Sequence, residues 1–433
     1  RTVTEETQIT FRMPPNDVSI SARFAENALH LTTVSEYLDF AARVNGGEDY
    51  AGVKVYLDAD IGSEAEPVTA IVGNASNRAF AGTFEGNGHT VYLNVTAKKA
   101  VGMFGYVNGA TVRNVTVAGT VTLTAANSYA AGLIGMVQWA NGAMTTVENC
   151  VNTATVNVTA VSNAGGFVGR TLGHLTIVGC TNKGNVTTAG NYAAGFVGYI
   201  IKSSSGSAPS LVIRNSTNEG NITGKTGIAG IVGLFHKDSA GGTHVLENVS
   251  NTGTVTGTSQ VGGIVATISS LAADGFDITI SYHDAGMTDE NGRDIVVGSD
   301  GNKKTTAITH TGHTYTLVPG VPATCAAEGT AAHYVCPSCG KLFVLNDGEY
   351  TGTTAEALIL PAIPHDYTGA VRYEPHDADA HTKYTKCAHC DSEKAETEAH
   401  SYGEDHLCVC GARQHIHQGV HHDAVASVSY ATA

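Results

Sequence analysis

Residues 165 to 186 open with Gly165-Gly-Phe-Val-Gly169 and close with Val178-Gly-Cys-Thr-Asn-Lys-Gly-Asn-Val186, and both phrases recur along the chain. The first returns as Val101-Gly-Met-Phe-Gly, Ala131-Gly-Leu-Ile-Gly, Ala194-Gly-Phe-Val-Gly, Ala229-Gly-Ile-Val-Gly and Gly262-Gly-Ile-Val-Ala. Counted on Gly102, Gly132, Gly166, Gly195, Gly230 and Gly263, the steps are 30, 34, 29, 35 and 33 residues. That is the length of one coil of a solenoid with loops of unequal size. The second phrase interleaves with the first, at Arg113-Asn-Val, Glu148-Asn-Cys, Arg214-Asn-Ser and Glu247-Asn-Val. Its alignment puts Asn152, Asn182, Asn218 and Asn251 in one register, followed by Val121, Val156, Val186, Ile222 and Val255.

Coils stacked about 4.8 Å apart turn each register into a ladder, amides bonding upward at turns and β-branched residues filling the bore. Parallel crossovers are right-handed, so the pattern predicts an all-β chain built on a right-handed parallel β-helix. Cys150 and Cys180 share a register, which predicts stacked, buried free thiols in the bore; a strained disulfide is the lesser reading.

The composition agrees. Of 433 residues 51 are Gly, and only 15% are charged, the balance of a β-rich chain and of neither a coiled coil nor a disordered one. The net charge of −15, from 24 basic and 39 acidic residues, disfavours a nucleic-acid or anionic-membrane partner, since phosphate binding needs clustered Lys and Arg. No stretch approaches the roughly 18 apolar residues of a membrane span, and no basic-then-apolar leader opens the chain. The N-terminal residues enter directly as an alternating strand, which reads as a mature fragment.

The two recurring phrases together resemble the GLUG-repeat β-helices of bacterial surface proteins. The likeness runs over about residues 30 to 270, helped by Val55-Tyr-Leu-Asp-Ala-Asp-Ile and Phe84-Glu-Gly-Asn-Gly-His-Thr-Val. Before it, Phe11-Arg-Met-Pro-Pro-Asn-Asp-Val-Ser-Ile-Ser-Ala-Arg-Phe resembles the closing strands of the InlB-type repeat of bacterial adhesins. The resemblance implies an extracellular or cell-surface protein of gut-type, Firmicutes-like bacteria. A helix at Thr33–Gly47 is expected to cap the solenoid end: Thr33 and Glu36 form a capping box, Val34, Leu38 and Ala41/Ala42 line one face, and Gly46-Gly47 ends it.

Beyond residue 310 the composition shifts to His and Cys, with seven of the nine cysteines. Three clusters have metal-ligand spacing: His313, Cys325, Cys336 and Cys339; His365, His381, Cys387 and Cys390; and His400, Cys408 and Cys410 with His415 trailing. Cys-x-x-Cys in a turn supplies two corners of a tetrahedral Zn²⁺ site, so structural zinc is expected in the first two clusters, about two ions per chain. The third has Cys-x-Cys and no obvious fourth ligand. Disulfides are the alternative that a secreted chain permits. This tail resembles Cys/His modules repeated near the C-termini of Firmicutes surface proteins, with Asp391 where those modules usually have Gly.

The expected division is a partial InlB-type repeat at 1–24, a capping helix and first strands at 25–60, the β-helix at 61–305, and modules at 306–362, 363–398 and 399–433, the last with a His-rich tail. Between 100 and 270 the acidic residues are only Glu148, Glu219, Asp238 and Glu247, too scattered for the carboxylate pairs of β-helix polysaccharide enzymes. The expected function is therefore non-enzymatic display and adhesion, toward a host or microbial surface glycan or protein. The first rival is a fibre subunit joined head-to-tail by strand addition through residues 1–24 or 424–431; the second is a polysaccharide-active enzyme.

Overall fold

A computed structural model of the chain describes residues 28–139, 141–204, 206–269, 277–301 and 307–414. The InlB-like strands, His415 and the alternating C-terminal segment lie outside the described residues. The chain divides into two compact units, residues 1–313 and 314–433.

The first unit is the solenoid. Its strands are parallel throughout and repeat every coil in three sheets: a long bent sheet of 18 strands, one of five and one of seven. The seven-stranded sheet carries one rung per coil, from Phe104–Val107 to Val297–Asp300. The predicted registers hold residue for residue. Val121 pairs with Val156, Val156 with Val186, Val186 with Ile222 and Ile222 with Val255. Most of this column has no exposed surface, and it forms the core with the Phe and Ile of the glycine phrase.

The four asparagines form one buried ladder. Each Nδ2 donates to the next Oδ1 at 2.7 Å, from Asn152 through Asn182 and Asn218 to Asn251, whose own Nδ2 ends the run on the Ala285 carbonyl at 2.9 Å. Asn182 Nδ2 also reaches the carbonyl of Gly184, so one side chain both closes its own turn and ties its coil to the next.

The marker glycine of the first phrase lies against this ladder. A Cβ at Gly166 would overlap the Asn182 amide oxygen and the Gly195 carbonyl, and one at Gly195 would overlap the Asn218 amide and the Gly230 carbonyl. The two phrases recur together because the amide of one occupies the space that the missing side chain of the other leaves. A further register carries the left-handed turn: Asn114, Asn149, Gly179, Asn215 and Asn248 all have φ between 49° and 66°. Asn and Gly tolerate that region better than other residues. Just inside it, Cys150 and Cys180 are buried without a disulfide, and the Cys150 N–H donates to Cys180 Sγ at 3.3 Å.

Helix α1 (Val34–Gly46) closes the N-terminal end of the core. The Thr33 capping box forms, and Gly47 at φ 113° ends the helix with N–H bonds back to Arg43 and Val44. The buried face is Tyr37, Phe40, Ala41 and Val44; Leu38 and Ala42, expected on it, point to solvent. The reason lies in the partner: Phe40 meets Phe80 edge-on at 5.8 Å and Phe84 at 6.2 Å, and these aromatics fix which stripe turns inward.

The second unit holds small antiparallel sheets: four strands within Thr316–Thr353, a two-stranded pair, and three strands within Val371–Ala399. Among its described residues the buried apolar side chains are Cys325, Cys336, Phe343, Leu358, Cys387 and Cys408. Four of these six are cysteines, so sulfur occupies the places that aliphatic side chains fill in an ordinary core.

Candidate metal centres

Each cysteine pair of the tail sits in a tight turn. The Cys336 N–H donates to the Lys341 carbonyl, the Cys387 N–H to that of Ser392, and the Cys408 N–H to that of Ala412. The loop is one residue shorter in the last case, as Cys-x-Cys requires. Gly340 and Gly411 take positive φ after the second cysteine, whereas Asp391 has no positive φ and forms an ion pair with Lys386 at 2.6 Å. The Asp391 departure from the usual glycine is thus accommodated locally.

Each turn aims backbone N–H groups at its first sulfur. The His389 N–H lowers the Cys387 thiol to about 6, against the upward push of burial, with His365 assisting. The Cys408 thiol is lowered chiefly by the Cys410 N–H. Cys325 moves the other way, to about 12, because of Cys390 first, then burial and Cys387. Sulfurs this close cannot all ionise without a cation among them.

The structure assembles the ligands differently from the expectation. Cys325, His365, Cys387 and Cys390 bring their ligand atoms within 4.8 Å of one another. Cys325 Sγ is 3.6 Å from Cys387 Sγ, and Cys390 Sγ is 3.3 Å from His365 Nδ1. A tetrahedron with metal–sulfur bonds of about 2.3 Å has edges of about 3.8 Å, so this donor set fits a four-coordinate ion. Cys325, expected beside Cys336 and Cys339, instead completes the following cluster.

His381 is displaced in the same sense. It leaves the Cys387–Cys390 pair and joins Cys408 and Cys410, its Nδ1 3.4 Å from Cys408 Sγ. Its ring is almost fully buried; its Nε2 lies 3.7 Å from a Glu398 carboxylate oxygen, beyond hydrogen-bond distance, and has no hydrogen-bond partner among the described residues. His400, expected in this cluster, stacks on His381 with ring centres 5.6 Å apart; its Nδ1 meets the Tyr402 hydroxyl at 3.0 Å, and its Nε2 is buried with no hydrogen-bond partner among the described residues. Three ligand atoms are thus gathered here, with an unsatisfied imidazole nitrogen on the stacked ring. Both sets draw on neighbouring modules.

Cys336 and Cys339 belong to the tail unit and His313 ends the solenoid unit. Within the solenoid, His313 Nδ1 is 3.1 Å from Nδ1 of His310, whose Nε2 is 2.9 Å from the His283 carbonyl. His310 was not singled out in the sequence, where it resembles any alternating strand residue.

Fold and donor sets together define a parallel β-solenoid followed by a Cys/His-rich tail able to hold metal ions. No family model matches the chain, and no curated protein matches it. Among solved structures, one described as a "putative immunoglobulin A1 protease from Bacteroides ovatus" is similar at 15% identity and a TM-score of 0.37, over 65% of this chain and 84% of that one. Among the described residues no helix is long and apolar enough to cross a membrane.

Proposed function

We propose that the chain is a non-enzymatic display scaffold of the bacterial surface or its surroundings, a rigid solenoid that presents its sheet faces and loops for adhesion, with a tail held together by structural zinc. The observation that carries the zinc assignment is the set Cys325, His365, Cys387 and Cys390, three thiols and an imidazole at tetrahedral spacing. That donor set selects zinc over hard cations, which prefer oxygen. A unit whose buried apolar side chains are mostly cysteines has too small a core of its own, and a bound ion supplies the missing stability.

The display reading is supported by how the solenoid uses its charges. Its carboxylates are joined to cations of neighbouring coils: the buried Glu85 to Arg113 at 2.6 Å, and the exposed Glu247 to Arg214 at 2.6 Å and Glu219 to Lys183 at 3.7 Å. They brace the coils and do not pair with one another: Glu85 lines a cleft with Asn87, Asn114 and Asn149, in which it is the one carboxylate among the described residues. The test applies labelled full chain to mucin-coated and bacterial surfaces and, in parallel, incubates it with polysaccharides and immunoglobulin A. Retention without cleavage products is expected; new reducing ends or proteolytic fragments would overturn the non-enzymatic reading.

A further inference from the structure

A groove of about 270 Å³ opens where the five-stranded and seven-stranded sheets of the solenoid meet. Its centre is Arg170, in the strand Val168–Thr171 of the seven-stranded sheet and in register with Tyr199 on the next coil. The guanidinium lies over two rings at once, 4.9 Å from the centre of Tyr129 and 5.3 Å from that of Tyr199. Its Nη1 also donates to the Tyr129 hydroxyl. Tyr192 closes the wall, edge-on to Tyr199 at 5.4 Å.

Two features separate this groove from ordinary surface. Arg170 Nε is buried and has no hydrogen-bond partner among the described residues, so the cation is held in the wall by the two rings and by the Tyr129 hydroxyl at Nη1. Among the described residues Arg170 is the one charged side chain lining the groove, in a chain of net charge −15; Asp238, whose N–H donates to His236 Nδ1 at 3.3 Å, lies outside the lining. Tyr192 holds the left-handed backbone region at φ 60°, as Gly227 and Gln260 do at the same register on the following coils, a repeating turn of the solenoid.

We propose that this groove binds an acidic sugar of a surface glycan, a pyranose carrying a carboxylate. The planar guanidinium, held against two rings, offers its Nη end to the carboxylate. The tyrosines offer faces for the apolar side of a sugar ring, and the Asn127 and Asn163 amides offer donors and acceptors for its hydroxyls. The volume is slightly below the range of drug-sized pockets, enough for one ring with the rest of the glycan in solvent. This rests on the display reading and names the ligand class that one face would display itself to.

The test titrates the full chain with a galacturonate trisaccharide and with sialyllactose by calorimetry, using lactose as the neutral control and poly-L-glutamate as a carboxylate without a sugar ring. At least one acidic sugar should bind at least tenfold more tightly than lactose, and which one binds separates a uronate from a sialate source. Arg170→Lys keeps the charge but loses the planar fork, and should weaken binding at least tenfold with an unchanged circular dichroism spectrum. Should that variant misfold, Asn127→Ala on the exposed rim replaces it, with a severalfold loss expected. Equal binding of lactose, equal binding of poly-L-glutamate, no binding of either acidic sugar, or affinity indifferent to these substitutions would overturn the assignment. If wild-type chain and Arg170→Lys are retained equally on mucin while no acidic sugar binds, the groove assignment falls and the display reading stands.

Discussion

Asn182 shows how much one side chain can carry in a solenoid. It accepts from Asn152, donates to Asn218 and closes its own turn on the Gly184 carbonyl, all without solvent. Asn182→Val removes the middle of the ladder and takes the Asn182 bond from one buried donor, Asn152 Nδ2, and two buried acceptors, Asn218 Oδ1 and the Gly184 carbonyl, which should cost roughly 3 kcal/mol. Urea unfolding of this variant beside Asn157→Val, a half-exposed position on the same sheet, checks it; the control should change stability by less than about 0.5 kcal/mol. His244 is a second residue-scale case. It is buried against Phe235, its Nε2 is 3.1 Å from the Ser239 carbonyl, and burial pulls its pKa down to about 4. The folded state therefore favours the neutral ring. Its contribution is complete above the unfolded value of about 6.5 and is lost as pH falls toward 4, roughly 3 kcal/mol in all. Melting temperature followed from pH 7 to pH 4 should fall, and His244→Leu should flatten that part of the curve.

Helix α1 works as an element rather than as a set of residues. Its capping box fixes where it starts and Gly47 fixes where it stops, but its stability comes from the aromatic face packed on Phe80 and Phe84. Phe40→Ala should cost about 3–5 kcal/mol of solenoid stability, against less than about 0.5 kcal/mol for Leu38→Ala, measured by thermal unfolding. In the tail the element is the cysteine turn, and the metal sets are shared between turns and distant segments. Cys325 and Cys390 lie 65 positions apart in the sequence yet belong to one donor set. Cys325→Ser and Cys390→Ser should therefore each lose the same metal, and the double variant should lose no more than either alone. Metal content per chain by mass spectrometry checks this, since ligands grouped by sequence proximity would make the two losses add.

For the whole molecule, the two units have different sources of stability. The solenoid has a long apolar bore and ladders at every coil; the tail has few buried aliphatic side chains and a sulfur-rich interior. A strong chelator at neutral pH should therefore open the tail to protease while the solenoid stays resistant, leaving a core fragment that ends near residue 313. Uniform loss of both units, or no change in either, would contradict this division of stabilising forces.

Periodicity alone determined the solenoid, because a stacked coil must repeat its side chains in register and the repeated phrases record that constraint. The Asn ladder, the valine column, the capping box and the buried thiols Cys150 and Cys180 were all legible, each resting on contacts at one coil's separation or less. The helix face was not, since Tyr37 and Phe40 turn inward only because Phe80 and Phe84 are there to meet them. Ligand types and their two-cysteine turns were likewise local and readable. The partition of Cys325 and His381 among the sets was decided by the tertiary fold, because a tetrahedral site requires proximity in space, and chain spacing does not specify which distant segment supplies its remaining corners. The groove around Arg170 is of the same kind: it draws on neighbouring coils and two sheets, and only their stacking places a guanidinium between two tyrosine rings.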